Sequence, residues 1–210
     1  MRRLIAILAL SAVVGACQSG THPVASPPPT PTPHTAATDA ILQSADIPSG
    51  LNPCLGSGPI DVYVTTLAHT NATLAGRVGA QWEQLRVAGA TAGAVSLFSA
   101  SAAACNAELA ATSNVKSIAA FVGVFADSGQ ADRAWGSGVF GFVPPAPAEI
   151  LPGVTRGTAT GLGLSSWTYD RAPVHLACWH KSVFIALVVV SNLNAATFIA
   201  AATAVDARLN

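Results

Sequence analysis

The densest group of side chains able to do chemistry lies between residues 167 and 181: Trp167, Tyr169, Asp170, Arg171, His175, Trp179, His180 and Lys181. Aromatic rings beside an imidazole and a guanidinium suit the recognition of a sugar, a peptide or another protein. Residues 174–180 read as a strand, so His175, Ala177 and Trp179 share one face while Val174, Leu176 and Cys178 share the other. Two arrangements follow. In one, Trp167, Tyr169, Arg171, His175 and Trp179 form an outward recognition surface. In the other, Trp179 lies beneath a helix and Trp167 closes one end of the core.

Metal and catalytic patterns are harder to assemble. His175 and His180 are separated by an odd number of positions, which sends them to opposite faces of a regular strand. His69 belongs to no HxH or HExxH pattern. Gly56-Ser57-Gly58 and Gly136-Ser137-Gly138 lack the GxSxG elbow of a serine nucleophile. The GTATGLG run from Gly157 lacks the GK[ST] of a phosphate loop. Glu83, Glu108 and Glu149 have no carboxylate partner at a spacing that implies acid–base work. No catalytic residue, metal ligand or cofactor is assigned from the sequence, which favours binding over catalysis and leaves an enzyme open as an alternative.

Location is more legible than reaction. Arg2 and Arg3 precede an apolar run over residues 4–14, the order of an export signal. Eleven residues fall well short of the roughly 20 that a transmembrane helix needs. The run closes on Val14-Gly15-Ala16-Cys17, which resembles the lipobox of bacterial lipoproteins. That resemblance implies cleavage after residue 16, a lipidated Cys17 as first mature residue, and membrane lipid as the partner of the acyl chains. The expected location is the outer face of the bacterial cytoplasmic membrane or elsewhere within the cell envelope. Residues 17–38 then carry the lipidated cysteine and a proline-rich disordered linker, with six prolines between Pro23 and Pro33. A globular domain is expected over residues 39–210.

Composition excludes one class of partner. Charged residues make up only 10% of the chain and its formal net charge is zero. Loss of Arg2 and Arg3 with the leader leaves eight basic against ten acidic residues. With no basic block, nucleic-acid binding has no electrostatic basis.

Three cysteines remain beyond the lipobox: Cys54, Cys105 and Cys178. An oxidising compartment permits a disulfide, and an odd count permits one internal bridge. Cys54–Cys105 is preferred, because it closes a shorter loop than Cys54–Cys178 and leaves Cys178 facing inward. The pairing with Cys178 and three reduced thiols are the alternatives.

The elements that must position these groups follow from periodicity. A short helical turn is expected at 40–45, and a short strand or turn at 60–67, where Ile60, Val62, Val64 and Thr66 alternate, before a helix through Val87. Strands are expected at 92–98, 117–126, 159–168, 174–180 and 183–191, the last apolar on both faces and therefore central. Helices are expected from Ser99 or Ser101 to Ala111, from Gln130 to Trp135, and from Asn192 or Asn194 to Leu209. Connections near 169–172 and 181–182 are too short for parallel crossovers. The pattern predicts an α+β fold, an antiparallel sheet covered on one face by helices.

This order of elements over residues 46–209 is similar to that of small exported lipoproteins of actinobacteria and related bacteria, some of which carry sensor-like or PsbP-like domains. The three mature-domain cysteines depart from the two-disulfide pattern of kinase-linked sensor domains, and no functional residue is carried over. The resemblance implies a membrane-tethered module that binds a small ligand or an envelope protein. A purely accessory lipoprotein without a discrete pocket is the alternative.

Overall fold

The computed structural model describes residues 34–107, 109, 114–139, 146 and 151–210. The leader, the lipobox with Cys17, and the linker as far as Pro33 lie outside the described residues.

Among the described residues, eight strands form one antiparallel sheet. They are β1 (Asn52–Pro53), β2 (Gly58–Pro59), β3 (Ala90–Ser99), β4 (Ser117–Phe125), β5 (Val154–Arg156), β6 (Ser166–Arg171), β7 (Val174–Lys181) and β8 (Phe184–Ser191). Their order is β1-β3-β4-β8-β7-β6-β5, with β2 also on the edge of β3. The central strand is β8, whose eight residues are all buried. A strand buried on both faces has no polar alternation, which is why FIALVVVS carries none.

Among the described residues five helices cover the sheet: α1 (Ala37–Ala40), α2 (Ile60–Ala68), α3 (Ala72–Val87), α4 (Ser128–Ser137) and α5 (Ala195–Asp206). The α+β class and antiparallel sheet read from the sequence are the fold of this chain. Helices α2, α3 and α4 pack with Val95, Phe121, Leu187 and Cys178 on one face. The structure adds a second cover, because α1 and α5 pack with Ala94, Val122, Ala186 and Trp179 on the other. Successive residues of each central strand feed the two cores alternately, so both faces required burial.

Local chemistry explains the helix boundaries. Asn71, Asp127 and Asn194 each accept a backbone N–H from the first turn of α3, α4 and α5, satisfying donors that have no partner within the helix. Leu74, Ala75, Val78, Trp82 and Leu85 form the buried stripe of α3. The Trp82 ring lies so close to β3 that a β-carbon on Gly93 would stand 2.9 Å from it. Trp82 also donates its indole N–H to Asp61 at 3.2 Å, joining α3 to α2.

Several elements differ from the sequence reading. Residues 60–68 are a helix, not a strand, because Ile60, Tyr63 and Leu67 turn to one buried side. Of the helix expected from Ser99 or Ser101 to Ala111, the described part is a 3-10 turn over Ala102–Asn106, while residues 108 and 110–111 lie outside the described residues. Residues 157–160 are also a 3-10 turn, and the neighbouring strand starts only at Ser166. The turn expected at 169–172 falls instead at 172–173, so Tyr169 to Arg171 belong to β6.

The folded unit also begins before residue 39. Ala37 is buried, His34 meets the Phe184 ring edge-on, and Thr35 donates its backbone N–H to the Asn210 carbonyl at 3.1 Å. Residues 34–38 therefore belong to the fold and not to the linker. Arg208 then clasps both oxygens of Asp46 at 2.8 and 2.9 Å and reaches the Ile41 carbonyl, binding the entry segment to the end of the chain.

Candidate functional site

The five residues offered as a recognition surface do not form one. Trp179 is 0% exposed and His175 4%. Both lie on the sheet face covered by α5, where His175 stacks on Phe198 and Trp179 donates to Asp206 at 3.0 Å. Trp167 is buried in the opposite core, Tyr169 packs against that core, and only Arg171 is exposed. Strand alternation had placed His175 and Trp179 on one face correctly, but it could not tell which face a distant helix would cover.

His175 also lacks a nitrogen open to substrate. Its Nδ1 meets Asp170 Oδ1 at 2.6 Å, and its Nε2 meets the Leu193 carbonyl at 3.1 Å. The pair ties β6 and β7 to the entry of α5. His180 lies toward the other face, against the Ser182 carbonyl at 2.7 Å. Among the described residues no three His, Cys, Asp or Glu side chains converge to hold a metal ion. Ser137 bonds back to the Ala134 carbonyl at the end of α4. Cys178 is a free thiol, fully buried, and burial pushes its pKa up.

A cavity of about 410 Å³ opens elsewhere, between α2, the β1 loop and the segment that leaves β3. Its lining includes Leu55, Thr66, Leu67, Thr70, Ser101 and Cys105. This size is at the lower end for small-molecule sites, roughly 300–1,000 Å³.

The walls are built by three short tethers. The Cys54 N–H donates to the Leu97 carbonyl at 2.8 Å, and the Ser57 hydroxyl accepts the Leu97 N–H at 3.0 Å. Gly56, at φ +89°, lets this loop lie on α2, where a β-carbon would meet Thr66 at 2.9 Å. Asn71 reaches the Asn106 carbonyl at 3.4 Å from the α2–α3 corner. The third tether is covalent: a disulfide joins Cys54 to Cys105, and both residues line the cavity.

Tyr63 and Leu67 are the buried side of α2, while Thr66 and Thr70 stand toward the opening. Hydroxyls and the amides of Asn52 and Asn106 supply the polar groups. None of the described lining residues is a histidine, a carboxylate or a cation. Such a lining holds a molecule by shape and hydrogen bonds. The sequence reading missed it because its residues come from three separated segments, and one of those, 60–68, carries a strand-like alternation.

No family model, curated protein or solved structure matches this chain. No helix among the described residues is long and apolar enough to cross a membrane.

Proposed function

We propose that this chain is a lipoprotein of the bacterial cell envelope, anchored through acylated Cys17, whose globular domain binds a small ligand without transforming it. The cavity beneath the Cys54–Cys105 bridge carries the binding half of this reading. It is concave, largely apolar and edged by a few hydroxyl and amide groups, the usual construction of a small-molecule site. The disulfide supports the export half, because such bonds persist in oxidising compartments. Val14-Gly15-Ala16-Cys17 supports the anchor.

The test is extraction of bound material. The full chain carrying Cys17→Ser is exported without its acyl group, purified free of detergent, and extracted for mass spectrometry. Thr70→Trp and Ala102→Trp serve as blocked controls, since both positions line the cavity yet are exposed and tolerate a larger side chain. A compound recovered near one equivalent from the parent and lost from both controls is the expected result. Identical extracts from all three would count against the cavity as the binding site.

A further inference from the structure

The lining of the cavity narrows the class of ligand, an inference that rests on the cavity being the binding site. Pro53, Leu55, Leu67, Ala100 and Ala102 present carbon to the interior or the mouth. Leu55 is 87% exposed, an isobutyl group left in water at the rim. An apolar occupant would remove this surface from water, which is the main driving force open to the site.

The polar groups are specific in kind. The Ser101 hydroxyl oxygen accepts the Ala103 N–H at 3.3 Å, which leaves its own proton to donate. Thr70 already donates to the Leu67 carbonyl at 3.2 Å, so toward a ligand its oxygen can act as an acceptor. Thr66 and Asn52 add a hydroxyl and an amide. These groups match a hydroxyl, ester or amide. An ionised group entering here would lose water and meet no opposite charge among the described lining residues, an arrangement that costs heavily. At about 30 Å³ for each water-sized unit, the volume admits a molecule of roughly a dozen heavy atoms.

We propose that the cavity selects an uncharged amphiphile: a short apolar chain or ring with one neutral hydrogen-bonding group. Displacement of an uncharged fluorescent probe of matching size, 1-naphthylamine, from the full chain carrying Cys17→Ser tests this. Competitors are decanol, decanoate and decylammonium at neutral pH, matched in chain length and different in charge. Decanol is expected to displace the probe at a concentration at least about ten-fold below either ion, a difference of about 1.4 kcal/mol. Thr70→Trp and Ala102→Trp are expected to weaken probe binding by a similar factor. If the two variants lose the probe but an ion competes as well as decanol, the neutral-ligand inference is overturned and the cavity stands. If the probe fails to bind, or binds the parent and both variants equally, the cavity reading itself is overturned.

Discussion

Cys54 and Cys105, 51 positions apart, hold their Cα atoms 5.6 Å from one another across the wall of a single cavity. The bridge joins the loop ahead of α2 to the turn that follows β3. It therefore fixes both the loop that leads into α2 and the shape of the candidate binding site.

Removing that bridge should affect stability and binding together. Constraining a loop of this length is worth about 4 kcal/mol on the chain-entropy estimate. The double variant Cys54→Ala/Cys105→Ala is expected to lose stability of that order in denaturant titration and to bind a neutral probe several-fold more weakly under native conditions. Non-reducing peptide mapping should recover one Cys54–Cys105 peptide from the parent chain. Recovery of Cys178 in a bridge would contradict the arrangement.

The remaining thiol gives a separate check on packing. Cys178 lies at 0% exposure in the core beneath α2 to α4, and burial raises its pKa. It should resist iodoacetamide in the folded chain and react once the chain is unfolded, because the thiolate is the nucleophile. Rapid alkylation under native conditions would show that this core opens.

Stability should also fall in acid through a defined pair. Arg208, by its hydrogen bonds above all, holds the Asp46 carboxyl below its usual range; the Gln43 backbone N–H assists and burial opposes. A carboxylate with a depressed folded pKa contributes stability above its unfolded value, about pH 3.9, and loses it as pH falls through the folded value. Asp46→Ala is expected to cost about 2 kcal/mol at neutral pH, with the difference from the parent shrinking below about pH 4. A difference that stays constant down to pH 2 would rule out this linkage.

Anchoring and boundary can be measured in cells and on the purified chain. A fatty-acid analogue should label the parent and leave Cys17→Ser unlabelled; equal label in both would end the lipobox reading. Limited proteolysis should release a fragment beginning near His34, because Thr35 and Ala37 are already held by the fold. Cleavage between residues 34 and 38 ahead of cleavage in the proline-rich stretch would contradict that boundary.

What was legible in the sequence followed from patterns with one physical cause. The unbroken apolar run FIALVVVS made β8 readable as the central strand, and Asn192 or Asn194 ahead of an apolar repeat made α5 readable as a capped helix, with Asn194 the cap. The segment 60–68 was not legible as a helix. Its β-branched residues alternate, whereas its folded face is set by Ile60, Tyr63 and Leu67 meeting α3 and the sheet. Tertiary burial overrode local preference there. The aromatic cluster failed for a related reason: alternation groups His175 with Trp179, but only the distant α5 decides that both are covered. The cavity had no local signature at all, since Leu55, Thr66 and Ser101 become neighbours only when a disulfide and a strand edge bring three segments together.

If the space beneath the Cys54–Cys105 bridge receives a small ligand, a probe bound there must register on the backbone that surrounds it. Titrating 1-naphthylamine into the isotope-labelled full chain carrying Cys17→Ser reports on each amide by NMR. Saturable shifts are expected at Leu55, Thr66, Thr70, Ser101 and Asn106, with Val188 and Phe198 in the opposite core unmoved. Shifts clustered away from the cavity, or none at saturating probe, would contradict binding there.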